Sequence, residues 1–87
     1  MGAVWQHDGK LYDYESYYDL DADSWTHEVR ALDGESAVWI DVPDGTPDAG
    51  PFTPLPKRAV FRSSDGALPL VIVERLLAAA REAGDIN

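Results

Sequence analysis

The sequence predicts an α+β fold: an antiparallel sheet of four to five strands, with two Asp-Gly hairpins, packed against one C-terminal helix. Three observations predict it. Asp8-Gly9 and Asp33-Gly34 each stand between segments rich in aromatic and β-branched residues, and Asp-Gly supplies the positive φ that a type I′ hairpin turn requires. Residues 24–42 place most of their aliphatic side chains at alternate positions, the period of a half-buried strand pair. The stretch "LPLVIVERLLAAAREAG" repeats apolar residues at helical spacing, with a proline near its start and a glycine at its end.

The elements follow in order within one domain, residues 1–87. Strands over 3–7 and 10–20 form the first hairpin, pairing Trp5 with Tyr12 and Ala3 with Tyr14. Ser16, Tyr18 and Leu20 continue that face, while Tyr17 points to the other with Asp13, Glu15 and Asp19. "DLDAD" has turn composition and leads into the third strand. Strands over 24–32 and 35–42 form the second hairpin. With Asp33 and Gly34 as its turn, Val29 faces Val38, His27 faces Ile40 and Trp25 faces Val42. These six residues make the core face. Thr26, Glu28, Arg30, Leu32, Ala37, Trp39 and Asp41 lie on the other, and a slip of one residue would turn the whole aliphatic set outward.

Residues 43–56 contain five of the six prolines. Proline removes backbone donors, so this is a loop, with Phe52 and Leu55 available to pin it to the sheet. A short strand over 58–62 follows, in the only basic patch: Lys57, Arg58 and Arg62. The third pair, Asp65-Gly66, is a loop before the helix at about 69–83. Pro69 fits the first helical turn, Gly84 the C-terminal cap. Leu70, Val73, Leu77 and Ala80 form the apolar stripe, widened by Ile72, Leu76, Ala79 and Ala83. Positions 74, 75, 78, 81, 82 and 85 make the polar or small face. Val71-Ile72-Val73 is a β-branched run that also suits a strand, so 67–73 is the least determined segment.

Composition narrows function more than it names it. The chain has 87 residues, no cysteine and a net charge of −9. Disulfides, thiolate nucleophiles and cysteine-bound zinc are excluded. Residues 1–56 hold 12 acids against 2 bases, and the remainder 4 acids against 5 bases. An acidic front half repels nucleic acid and anionic lipid and attracts basic partners. No apolar run is long enough to span a membrane, and "MGAVWQHDGK" lacks the regions of a signal peptide, so the expected location is cytoplasmic. Abundant Ala, Asp, Gly and Val with two lysines is a usage common in GC-rich bacterial genomes.

Spacing rules out the obvious chemistries. "DLDADSWTHEVR" starts like a calcium loop at Asp19, Asp21 and Asp23, but Ser24 stands where glycine is needed and Arg30 where a bidentate Glu is needed. His7 and His27 are the only histidines, without a metal-binding spacing. "GESAV" lacks the second glycine of a nucleophile elbow, and no glycine-rich run opens a helix before a lysine. His27 is expected to be a half-buried strand residue with one hydrogen-bond partner. No catalytic residue, metal or cofactor is assigned.

What remains is a surface. All four tyrosines and five acids lie between Leu11 and Trp25. Tyrosine gives contact area at low entropic cost, and carboxylates steer. The expected partner-binding residues are Tyr17, Asp13, Glu15, Asp19, Asp21 and Asp23, with Trp39 beside them. Trp39 is expected to be covered by the proline-rich loop or, failing that, to serve as a partly exposed anchor. The expected function is an acidic interaction module, of an inhibitor, immunity or accessory type, for a basic protein surface. The alternatives are a small enzyme or enzyme subunit using carboxylates and histidine, and a homodimeric structural protein.

Overall fold

The computed structural model describes residues 2–64 and 66–86. Five strands, β1 (Gly2–His7), β2 (Lys10–Asp19), β3 (Ser24–Ala31), β4 (Ala37–Pro43) and β5 (Val60–Ser63), form one antiparallel meander in sequence order. A 3-10 turn, Pro56–Arg58, precedes β5, and one helix, α1 (Leu70–Glu82), closes the chain. The α+β fold expected from the sequence is therefore the fold observed.

The first hairpin turns as Asp-Gly chemistry requires. Asp8 and Gly9 have φ of 53° and 78°, and His7 pairs directly with Lys10. Trp5 opposes Tyr12 and Ala3 opposes Tyr14. The second hairpin keeps the expected register, Val29 with Val38, His27 with Ile40 and Trp25 with Val42. Its turn is different: the Ala31 amide donates to the Ser36 carbonyl at 2.9 Å, leaving four residues in the loop. Neither Asp33 nor Gly34 adopts positive φ. Packing of the alternating side chains sets this register, and the wider loop accommodates it. Asp65 of the third Asp-Gly pair lies outside the described residues.

One face of the sheet carries Trp5, Tyr12, Val29, Val38, Ile40 and Val42, and α1 covers it with Ile72, Leu76 and Ala80. These three lie four residues apart, on one face of the helix. The stripe expected to centre on Leu70, Val73 and Leu77 is thus rotated. Leu70 is exposed, and Val73 and Leu77 are flanking. The β-branched run is helical, because Ile72 buries its branched side chain in the core. Pro69 is the residue before the helix, and its carbonyl accepts from Ile72 at 3.0 Å. Arg75 lays its guanidinium over the Trp5 ring at 4.6 Å, shielding the β1 side of the core.

The proline-rich segment is ordered by one carboxylate. Asp44 accepts from the backbone amides of Thr46 at 2.9 Å and Thr53 at 3.0 Å, and from Tyr18 Oη at 2.9 Å. The two amides lead in drawing the Asp44 carboxyl below its ordinary value. Phe52 then packs against Trp25 at 5.6 Å and Tyr18 at 6.2 Å, on the helix side of the sheet. The loop therefore does not cover Trp39, which lies on the opposite face.

Candidate functional site

Two arrangements carry the polar chemistry of the described residues. The first is the sheet face turned away from α1. Alternation puts Asp13, Glu15, Tyr17 and Asp19 of β2 on it, beside Thr26, Glu28 and Arg30 of β3, Trp39 and Asp41 of β4, and Arg62 of β5. Tyr17 Oη and Trp39 Nε1 both donate to Glu28 Oε1, each at 2.9 Å. Arg30 donates to Glu28 Oε2 from Nη2 at 3.2 Å. Burial would raise the Glu28 carboxyl, but the hydrogen bonds from Trp39, Tyr17 and Arg30 outweigh it and hold it below its ordinary value. Burial and the Glu28 bond together push the Tyr17 phenol up to about 12.

Next to this, Arg62 grips Asp41 with Nε and Nη2 and lies over the Trp39 ring at 4.9 Å. Thr26 Oγ1 donates to Asp41 Oδ1 at 2.8 Å. Burial would raise the Asp41 carboxyl, and the Arg62 and Thr26 bonds reverse that and lower it. What partly covers Trp39 is thus an arginine from β5 rather than the proline-rich loop. Tyr17 remains 39% exposed.

Tyr17 and Trp39 are joined through Glu28. Asp13, Glu15 and Asp19 lie on the same strand face as Tyr17. Asp21 and Asp23 do not belong to it: they sit in the turn joining β2 to β3 at one end of the sheet. Asp19 Oδ1 caps that turn, accepting from the amides of Asp21 at 3.0 Å and Ala22 at 3.3 Å. Asp23 adopts φ of 48°, a conformation that Asp and Asn tolerate better than most residues.

The second arrangement lies outside the expectations from sequence. His27 is 1% exposed and has two partners: Nε2 lies 2.6 Å from Asp85 Oδ2, and Nδ1 lies 2.9 Å from Tyr14 Oη. An ionised carboxylate only accepts, so Nε2 carries hydrogen and, in the neutral ring, Nδ1 accepts from the Tyr14 hydroxyl. Burial pushes the Tyr14 phenol above its ordinary value against a hydrogen bond from Ser16 that lowers it. The phenol therefore stays protonated and can donate. The result is a directional hydrogen-bond relay from Tyr14 through His27 to Asp85.

A Schellman motif builds it. Gly84 has φ of 80°, its amide donates to Arg81 O at 2.9 Å, and the Asp85 amide donates to Ala80 O at 3.1 Å. This reverses the chain after α1 and points Asp85 back at the sheet. Residue 85, assigned by helical periodicity to the polar face, is therefore buried, because the helix has already ended. Two signals in the sequence would have found it. A histidine on a core face needs two partners, and a glycine after a helix turns the residue that follows it inward. Beside the relay lies a cleft of about 330 Å³, with Trp25 and Phe52 as aromatic walls and Tyr14, Ser16, His27 and Asp85 at its polar end.

Among the described residues no helix is long and apolar enough to cross a membrane, and no group of three or more potential metal ligands comes together. No protein-family model matches the chain, and neither a curated protein nor a solved structure is significantly similar to it.

Proposed function

We propose that the chain is an interaction module that captures a partner protein with a basic surface on the face of the sheet opposite α1. The observation that supports this reading is the Tyr17–Glu28–Trp39 cluster. It holds two aromatic side chains in place on a face that α1 and the proline-rich loop leave open, beside the carboxylates of Asp13, Glu15 and Asp19. Fixed aromatics give contact area at low entropic cost, and the surrounding carboxylates steer a cationic partner and set its orientation.

The test combines Asp13→Asn, Glu15→Gln and Asp19→Asn, the three carboxylates of β2 on this face. At position 19 the amide oxygen of asparagine would keep the acceptor that caps the turn, so folding is expected to be unchanged. Capture of basic proteins from the native host is expected to weaken, with a flatter dependence on salt. Unchanged capture and unchanged salt dependence would refute a role for the acidic face.

The relay supports a second reading, a small enzyme or enzyme subunit. A hydroxyl aligned on an imidazole that a carboxylate orients is an arrangement suited to acyl transfer. Activated phenyl esters test it: turnover should fall in Tyr14→Phe, and equal rates for wild type and variant would reject it.

A further inference from the structure

We infer that the β5 edge of the sheet is a docking site for an extended acidic peptide, which adds to the sheet as a further strand. Three observations converge there.

The first is hydrogen-bonding capacity. β5 is the last strand in the sheet order. The Ser64 amide donates to Ala37 O at 2.9 Å, which makes that pair a hydrogen-bonded one. Antiparallel ladders alternate, so Arg62 and Val60 turn their backbone groups inward to Trp39 and Asp41. Phe61 and Ser63 turn theirs outward to the free edge. An incoming strand finds two residues' worth of N–H and C=O groups there.

The second is apolar surface. Val60 and Phe61 are 52% and 54% exposed on the edge strand itself. On the helix side, Phe61 borders a groove of about 260 Å³ closed by Pro56, Ala59, Leu77 and Ile86. An added strand pairing beside Phe61 would set alternate side chains over this groove.

The third is charge. The chain carries −9 overall, and its bases are mostly engaged. Lys10 meets Asp33, Arg30 meets Glu28, Arg62 meets Asp41, Arg75 covers Trp5, and Arg81 has an interaction of its own. Lys57 and Arg58 are the bases without such a partner among the described residues. Both are exposed, and both sit in the 3-10 turn that feeds β5. Two unneutralised cations in an acidic protein, at the mouth of an open strand edge, fit carboxylates on the incoming strand. At physiological salt the screening length is about 8 Å, so these local charges outweigh the distant acids of β2.

The probe is a capped peptide with a core of alternating valine and threonine and two glutamates at each end. Its counterpart has lysines in place of the glutamates. Binding is read by amide NMR on the full chain, with hydrogen exchange at Phe61 and Ser63. The glutamate peptide is expected to bind and to slow exchange at those two amides, and the lysine peptide to bind at least about tenfold more weakly. Ser63→Pro removes one outward N–H while leaving the β4 ladder intact, and should abolish binding. Lys57→Glu with Arg58→Glu, both at exposed positions, keeps a folded comparison if the proline variant does not fold, and should reverse the peptide preference. Equal binding of the two peptides, binding without protection at Phe61 and Ser63, or sedimentation showing that the edge is filled by a second copy of the chain would each overturn the inference.

Discussion

Removing the Asp85 carboxylate is expected to destabilise the fold far more than its place in the turn beyond α1 would indicate. Asp85 is 7% exposed, and its partner His27 is 1% exposed. In Asp85→Ala the 2.6 Å contact is lost and the His27 Nε2–H is left without an acceptor inside the core. A hydrogen bond to a charged group contributes about 1.5–3 kcal/mol, and an orphaned buried donor costs about 1–3 kcal/mol. These overlap, since both describe the same broken contact, so the expected loss is about 2–4 kcal/mol. For a chain of 87 residues the total stability should be about 4–13 kcal/mol, so the variant loses a large share of it. Asp85→Asn keeps an acceptor oxygen but not the charge, and should lose about 1 kcal/mol. Urea melts followed by tryptophan fluorescence measure both, with Glu74→Ala on the exposed helix face as the control, expected to lie within about 0.5 kcal/mol of wild type. If Asp85→Ala falls within the range of that control, His27 does not depend on Asp85 and the relay is not a structural tie.

Three further predictions rest on local geometry. Gly84→Ala forces a Cβ into a backbone conformation with φ of 80°; it should cost about 1 kcal/mol, and, because it also misaims Asp85, it should be less than additive with Asp85→Ala in a double-mutant melt. The carboxyls of Glu28 and Asp41 are held below their ordinary values, so the folded state binds their protons less readily than the unfolded chain. Their contribution is complete above the ordinary carboxylate range and is lost as pH falls through the lowered folded values, below about 4. Thermal midpoints between neutral pH and about pH 2.5 should therefore fall more steeply for wild type than for Glu28→Gln with Asp41→Asn. On the alkaline side the Tyr17 phenol, pushed up to about 12, contributes stability that is present below its ordinary value of 10.0 and lost as pH rises toward 12. Tyr17→Phe should flatten that limb, and a limb identical to wild type would refute the Tyr17–Glu28 bond as its source.

Much of the fold was legible because it rests on short-range rules. Asp8-Gly9 forms the tight turn that its chemistry favours, and Trp5 consequently meets Tyr12. The alternation of Val29, Val38, Ile40 and Val42 set the register of the second hairpin even though Asp33-Gly34 does not form the turn that first suggested it. Side-chain burial along two strands outweighs the preference of a single dipeptide. The open face was legible for the same reason: a period of two assigns each residue of β2 to a side, and Tyr17, Asp13, Glu15 and Asp19 follow from it.

The tertiary structure decided what periodicity within one element cannot reach. The stripe of α1 centres on Ile72, Leu76 and Ala80, because the angle at which a helix meets a sheet depends on the partner surface and not on its own repeat. Trp39 is partly covered by Arg62, a choice that required β5 to pair beside β4. His27 binds Asp85 across 58 positions of sequence, after a glycine has turned the chain out of its helix. By itself, then, the sequence determined the two hairpins, their registers and the side each of their residues faces, since these follow from covalent geometry and from the burial of apolar surface. Which polar groups meet was decided only in three dimensions, because a hydrogen bond forms where distant segments converge, and nothing local in the chain encodes that convergence.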